Sequence, residues 1–446
     1  LSFELKKYKL AEIADVQTGP FGSQLHKDDY VPHGTPIITV EHLGENFIIH
    51  ENTPKVSNDD ALRLSKYSLC EGDIVFSRVG SVDRRAYVSK KEHGWLFSGR
   101  CLRVRVNKKD KIDPKYLSYY FGLESFREYV RSIAVGATMP SLNTKIMSSL
   151  EIQAPELNVQ VAISKLLSSL DNKIELNNAI NKNLEEMAQA LFKRWFVDFE
   201  FPNENGEPYK SSGGEFEESE LGLIPKGWRI LRIGDIAEVR GGKRLPKGHE
   251  LLSNRTEHPY IRITDIDNGR INMRNLMYLK DETFKQISRY IINKNDLFVS
   301  IVGTVGIVGS INPNLNNANL TENMAKITIF DVTNKHYLLY YLKSNIGQQL
   351  LLSRSVGSTQ PKLALIRIKN VPVLLPEKKV LKSFDTIISS YYKLLEKNEI
   401  ENLYLENLRD TLLPKLMSGE IRVPVEQDHN DPDLPKVGEN NAIYQP

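Results

Sequence analysis

This 446-residue chain is predicted to be an α+β protein made of one unit repeated, each copy a mixed α/β globular domain that runs into a long helix. Three features predict it. The stretch AVGATMPSLNTKIMSSLEIQAP, Ala134 to Pro155, returns as SVGSTQPKLALIRIKNVPVLLP, Ser355 to Pro376. Strand-like runs bounded by turn residues recur at matching places in both copies. Each copy then closes on a long run of three-four apolar spacing.

The repeat holds one frame. Gly136 and Gly357, Thr138 and Thr359, Pro140 and Pro361, Leu142 and Leu363, and Pro155 and Pro376 are each 221 apart (357 − 136 = 221). Upstream, KLAEIADV from Lys9 aligns with RIGDIAEV from Arg232, and GDIVFSRVGSV from Gly72 with NDLFVSIVGTV from Asn295, at an offset of 223 (296 − 73 = 223). Two residues of insertion therefore separate the blocks. So long a period marks a duplicated domain and not a solenoid repeat.

Length alone allows about two to four domains at ~100 to 200 residues each. Hydrophobic content of 40% and charged content of 26% describe an ordinary globular protein. No apolar run approaches the ~18 residues of a membrane span, and LSFELKKYKL lacks the apolar core of a signal peptide, so a cytoplasmic location without membrane contact is expected. Cys70 and Cys101 do not match across the copies and form no ligand-spaced cluster, so both are expected in the core. A net charge of +3 says little about partners, and any nucleic-acid surface must come from local clustering.

In order along the chain, the first globular domain spans residues 1–155, with strands expected in TPIITV (Thr35 to Val40), DIVFSRV (Asp73 to Val79) and CLRVRV (Cys101 to Val106). A helix is expected in PKYLSYYFGLESFREYVRS, Pro114 to Ser132. Residues 156–200 form the first long helix, on Ile163, Leu166, Leu170, Leu184, Met187 and Leu191. Residues 201–227, rich in Gly, Pro, Ser and acidic residues, read as a linker. The second domain, 228–376, repeats the strands in DLFVSIVG (Asp296 to Gly303) and AKITIF (Ala325 to Phe330), and the helix in KHYLLYYLKSNIGQQLLLS from Lys335. Residues 377–424 form the second long helix, on Phe384, Ile387, Tyr391, Leu405, Leu408 and Leu412, and 425–446 a polar tail without periodicity. Asn177 and Asn181 fall in the first stripe, Asn398 and Asn402 in the same frame of the second. Polar residues at seam positions cost stability but select a register and a partner, which favours two helices packed on one another.

No catalytic constellation is present in the sequence. There is no GxxxxGK[ST] loop, no HExxH and no His or Cys pair at metal-ligand spacing. GGKRLPKG at Gly241 has the composition of a phosphate loop but the wrong spacing, and the ExK of Glu377 and Lys379 has no counterpart in the first copy. Both copies do carry loops rich in Arg, Lys, hydroxyl residues and glycine. The first offers Thr18, Gln24, Lys27, Arg78, Arg84, Arg85, Arg100 and Thr138. The second offers Arg240, Lys243, Arg244, Lys247, Arg262, Thr304, Ser358, Thr359, Gln360 and Lys362. Arg pairs bidentately with guanine and Gln with adenine, while Lys, hydroxyls and backbone amides suit phosphates. Solvated surface charge explains any one of these residues, and a tight turn explains Gly136, Gly357, Pro140 and Pro361. Their recurrence at matching positions favours DNA. The frame residues repeat while the loop residues diverge, PFGSQ against KRLPK and RVGSVDRR against IVGTVGIV, as expected of two frames that read two sequences.

LGLIPKGW ahead of the second copy, GDI near each domain start, and GSTQPKL leading through a strand to Pro376 and a long helix resemble the specificity subunit of a type I restriction-modification system over about Tyr8 to Val423. The resemblance implies two target-recognition domains, each reading half of a split asymmetric site in double-stranded DNA. It implies two long helices packed antiparallel as a coiled-coil spacer, with pseudo-twofold symmetry. It also implies no catalysis by this chain. Two modification subunits would methylate adenine with S-adenosylmethionine, and ATP and magnesium would serve restriction and translocation subunits. Met139 stands where the second copy has Gln360, so the two are not expected to share a role. A helix from about Glu156 to Trp195 would be roughly 60 Å long and act as a ruler for the unread spacer. Phe192, Trp195 and Phe196 offer bulk either for the modification subunits or for core packing. A stand-alone nuclease or methyltransferase, a coiled-coil adaptor and a DNA binder without sequence readout are the competing readings.

Overall fold

The computed structural model describes residues 4–424 apart from 23, 137, 268 and 358, so the predicted tail lies outside the described residues. The chain divides into two compact units, 1–172 with 406–446, and 173–405.

In the first unit, Ala14–Thr18, Cys101–Val106, Ile74–Ser77 and Arg85–Tyr87 form an antiparallel four-stranded sheet in that order. The β-branched and aromatic residues of these strands alternate into the core, where Phe76, Leu102 and Val104 are fully buried. A second sheet orders Tyr30–Val31, Lys55–Val56, Thr35–Ile38 and Leu96–Phe97, the last pair parallel. The second unit repeats the first sheet as Ala237–Gly241, Met324–Ile329, Leu297–Ser300 and Val308–Ser310, every strand displaced by 223 (237 − 14 = 223). Its other sheet keeps the parallel pair, Pro259–Ile261 beside Ala318–Leu320, but gains Ile291–Ile292 at one edge in place of an equivalent of Tyr30–Val31. The two-residue insertion sits between the last long strand and the next helix, in 107–113 of the first domain against 330–334 of the second. In each unit, the strands that open and close the domain pair antiparallel: Lys6–Lys9 with Glu151–Ala154, and Arg229–Arg232 with Pro372–Leu375.

Local chemistry sets the boundaries. The strand from Thr35 stops at Ile38, because Thr39 N–H and hydroxyl turn onto His42 Nδ1 and start the short turn Val40–His42. The helix predicted from Pro114 begins there, with Asp113 Oδ2 accepting from Tyr116 N at 2.8 Å, but breaks after Tyr120 and resumes as Glu124–Ile133. The break lies at Gly122, where a Cβ would fall 2.0 Å from the guanidinium of Arg85. The second copy also splits, into Lys335–Lys343 and Asn345–Leu352, with Ser344 capping the second piece.

The first long helix runs Leu157–Phe192 and widens into a π-turn, Lys193–Val197; the second runs Lys378–Ser418 and ends on Gly419 at φ +79. At ~1.5 Å per residue they are about 54 and 62 Å long. Their buried stripes keep the predicted Ile163 and Phe384 but depart by one residue at other positions. Leu167 and Ala188 are buried while Leu166 and Met187 are exposed, and in the second helix Ile388 and Tyr392 lie deeper than Ile387 and Tyr391. The seam in the second unit is antiparallel and crossed: Asn177 Nδ2 donates to Asn402 Oδ1 at 2.9 Å, and Asn398 Nδ2 donates to Asn181 Oδ1 at 2.8 Å. Asn402 Nδ2 in turn donates to Asn178 Oδ1 at 2.8 Å. In the first unit Asp171 of one helix accepts from Arg409 of the other and from Tyr119 of the domain.

Of the two readings of Phe192, Trp195 and Phe196, core packing is the one seen: all three are buried, on Tyr337, Phe384 and Trp228. One expectation is corrected. Residues 201–227 are folded: Phe201 stacks on Tyr209 and packs on Trp228, and Phe216–Ser219 pairs with Gly222–Pro225. Short acidic and glycine-rich composition masked an aromatic cluster that continues the core. Of the cysteines, Cys101 is buried and burial pushes its thiol up to about 12, while Cys70 is only half-buried. No helix among the described residues is long and apolar enough to cross a membrane.

Asn177 Oδ1 is buried without a hydrogen-bond partner among the described residues, so the seam already carries a polar cost. N402A removes the Asn402 Oδ1 acceptor of the buried Asn177 amide, leaving it Glu401 Oε2 at 3.0 Å, and is expected to destabilise the chain by about 1 kcal/mol in urea unfolding, whereas the N177L/N402L pair is expected to be near neutral. Burial would raise Glu185, but Lys343 Nζ at 2.8 Å, Gln189 and Tyr340 hold it below the usual carboxylate range. Its stabilisation is therefore present above the ordinary glutamate pKa of about 4.3 and lost as pH falls below it, and E185Q is expected to flatten that acid limb of a stability-against-pH curve.

Candidate nucleic-acid interface

One end of the first domain is a rim of loops clipped together through the main chain. Gly136, at φ +110, turns the repeated loop so that Val135 and Ser141 exchange backbone bonds of 3.0 and 2.8 Å. A Cβ there would lie 2.8 Å from Met139 O, so the left-handed glycine is required by space as well as by φ. Pro140 O then accepts from Gly80 N at 2.9 Å, Arg78 O from Leu142 N at 2.8 Å, and Arg100 O from Arg78 N at 2.8 Å. Gly19 and Gly99 let the loop after Thr18 lie against Phe97–Gly99, with carbonyls within 2.2 Å of where their Cβ atoms would be.

The second domain builds the same rim. Gly357 at φ +102 turns Val356 onto Lys362, Pro361 O accepts from Gly303 N at 3.2 Å, Ile301 O from Leu363 N at 2.9 Å, and Asn323 O from Ile301 N at 2.8 Å. Gly242 lies against Leu320 and Thr321 as Gly19 does against Phe97 and Ser98. Leu142 and Leu363 are the buried anchors of the two turns. The repeated glycines and prolines therefore serve the turn, and the turn holds the rim.

Most expected residues of the first domain lie on or beside this rim. Arg78 places its guanidinium 5.2 Å from the Phe21 ring and donates to Gly99 O at 3.2 Å. Arg100 and Thr138 are exposed, and Thr18 ends its strand half-buried. Gln24 Oε1 is engaged by the Tyr67 hydroxyl at 2.7 Å. The Lys27 side chain lies outside the described residues. Arg85 is corrected out of the set: it is buried, its Nε donates to Ser118 O at 2.9 Å, and burial lowers it to about 10. Arg84 donates to Leu43 O and is half-buried, so its fork is directed into the domain. Arg84 precedes the strand Arg85–Tyr87, and both guanidinium groups are spent on main-chain carbonyls of the domain.

In the second domain Arg240, Lys243, Arg244, Lys247, Thr304, Thr359, Gln360 and Lys362 are exposed, and Ser358 lies outside the described residues. Lys243 O accepts from the Tyr260 hydroxyl at 2.9 Å, and Arg240 pairs with Glu238 at 2.9 Å. Arg262 is held by Asp265 through Nε and Nη2, at 3.1 and 2.7 Å, and this hydrogen bonding raises its pKa. Arg244 Nε donates to Glu322 Oε1 at 2.6 Å; burial would raise Glu322, but that bond draws it below the usual range. No hydrogen bond among the described residues ties Lys247 to the rim.

Residues not expected from the loops alone are Phe21, Met139, Asp265 and Glu322. Asp265 had a signal, the Arg-x-x-Asp spacing of a capped turn. In the first domain the same turn is Thr39 to His42, so one main-chain device presents a hydroxyl in one copy and a guanidinium in the other. Exposed Phe21 and Met139 stand in Gly- and Pro-flanked loops outside any period, the one trace they leave in sequence. No group of three or more His, Cys, Asp or Glu among the described residues is placed to hold a metal ion.

Comparison with known proteins bears on this arrangement. The MjaIX specificity subunit of a type I restriction enzyme from Methanocaldococcus jannaschii is 28% identical over 315 residues, 71% of each chain. The HindI specificity subunit from Haemophilus influenzae is 25% identical over 410 residues, 80% of this chain and 88% of that one. The fold is similar to that of a type I restriction-modification S subunit from M. genitalium, with a TM-score of 0.55 at 15% identity over 93% of this chain and 96% of that one. The family model described as the type I restriction modification DNA specificity domain matches twice, over residues 4–186 and 225–405, and the chain belongs to that family.

Proposed function

We propose that this chain is the sequence-reading subunit of a type I restriction-modification complex, in which each globular domain reads one half of a bipartite, asymmetric site in double-stranded DNA. The observation that carries the reading is the pair of rims: one main-chain frame, held by the same backbone bonds, with different side chains at equivalent positions. A duplicated enzyme would be expected to keep its reactive groups in both copies. Here the frame is kept and the presented chemistry changes, Arg78 against Ile301 and Arg100 against Asn323, as reading two different half-sites requires.

The division of labour follows. Exposed Arg, Lys, Thr and Gln side chains of the rims would meet base edges and phosphates, while rim glycines bring main-chain amides close to the backbone. Adenine methylation with S-adenosylmethionine, and ATP- and magnesium-dependent restriction, would belong to modification and restriction subunits scaffolded by this chain. The paired long helices would set the unread spacer.

The test is adenine-methylation mapping by long-read sequencing of DNA from cells expressing this chain with its modification subunit, beside cells lacking the chain. The expected outcome is a split motif with an unread gap that disappears with the chain. Methylation or binding that ignores sequence would favour an adaptor or a non-specific binder. In the same assay a one-turn insertion near Asn177 is expected to lengthen the gap and leave both half-sites unchanged, and an unchanged gap counts against the helices as a ruler.

A further inference from the structure

The two rims differ sharply at one equivalent position. Residue 21 of the first domain corresponds to 244 of the second (244 − 21 = 223), the offset shared by their sheets. Phe21 is a half-exposed ring under the Arg78 guanidinium. Arg244 has 80% of its side chain exposed, with Nε donating to Glu322 Oε1 at 2.6 Å, while Glu322 Oε2 accepts from the Thr321 hydroxyl at 2.8 Å. Glu322 and Thr321 stand where the first domain has Gly99 and Ser98. The arginine and its support are thus found in one copy.

An exposed ion pair of this kind adds little to stability. It does hold the guanidinium plane, and so reduces the rotamer freedom that binding would otherwise remove. With Nε occupied, the two Nη groups remain as a planar fork that makes no further hydrogen bond among the described residues. A phosphate would accept such a fork but would be repelled by the Glu322 carboxylate beside it. A guanine–cytosine pair suits both: O6 and N7 of guanine accept from the fork, and the cytosine amino group donates to a carboxylate.

Resting on the reading of the rims as DNA-facing, we propose that Arg244 is a specificity-determining residue that reads a guanine of the second domain's half-site in the major groove, with Glu322 and Thr321 as its positioning residues. Phe21 offers the first domain no hydrogen bond at that position. The guanine therefore belongs to one half of the site only.

Methylation mapping of wild type, R244A, R244Q and E322Q tests this. Wild type is expected to give a split motif with a guanine in one half. In R244A and R244Q the gap and the other half are expected to persist, while discrimination at that guanine falls on the order of ten- to a hundredfold. E322Q is expected to give a smaller loss at the same base. An unchanged guanine in R244A, a uniform decline in methylation without base relaxation, or changes in both halves would each overturn the assignment. If R244A abolishes methylation, R244Q decides: relaxed guanine preference supports the proposal and retained preference overturns it. A wild type without any chain-dependent split motif would remove the proposed function itself, an outcome distinct from a split motif that R244A leaves intact.

Discussion

The two loop rims depend on a set of main-chain hydrogen bonds that involve no variable side chain. Gly136 and Gly357 turn a loop so that it binds the main chain at Gly80 and Gly303, some sixty residues away in sequence. Because donors and acceptors are backbone groups, their strength is insensitive to whether the loop carries Thr-Met or Thr-Gln. Loop conformation is thereby separated from loop identity. The buried leucines after each turn, Leu142 and Leu363, fasten the same clip to the core.

The long helices solve a different problem with side chains. An apolar stripe alone would tolerate slippage, since every third or fourth position is equivalent in hydrophobicity. The crossed amides of Asn177 with Asn402 and Asn398 with Asn181 remove that degeneracy, because a shifted register would bury four amide groups without partners. Carboxylates add anchorage within each unit. Asp171 binds Tyr119 and Arg409 in the first, and Glu185 binds Tyr340 and Lys343 in the second. Tyr119 and Tyr340 are themselves a repeat pair, each reaching from its domain to the first long helix.

Much of this was legible in sequence because duplication is a long-range signal that local ambiguity does not erase. The offsets of 221 and 223 located the equivalent strands and the insertion between them. The asparagine frame pointed to a packed helix pair. The helix stripe was right at Ile163 and Phe384 but one residue off where the seams contain apolar doublets, Leu166-Leu167, Ile387-Ile388 and Tyr391-Tyr392, since periodicity cannot choose within a doublet; depth of burial chose the second member each time. Arg84 and Arg85 looked like surface charge because strand orientation depends on the partner strand, which places Arg85 opposite Phe76 and over the gap left by Gly122. The carboxylate partner of Arg244 was missed for the same reason: Glu322 reaches it across 78 residues of sequence.

The clasp that closes each domain has a further consequence. The opening and closing strands, Lys6–Lys9 with Glu151–Ala154 and Arg229–Arg232 with Pro372–Leu375, lie side by side, with paired Cα atoms about 4.5–5.5 Å apart. Everything between them is joined covalently to the rest of the chain at a single narrow neck. A gene segment cut at those two strands encodes a whole domain, and exchanging it for another of the same frame asks of the helices only that the incoming domain keep contacts such as Tyr119 with Asp171 and Lys343 with Glu185. Heritable change in specificity can therefore come by grafting a whole domain in one step, as well as by accumulating substitutions within an existing one.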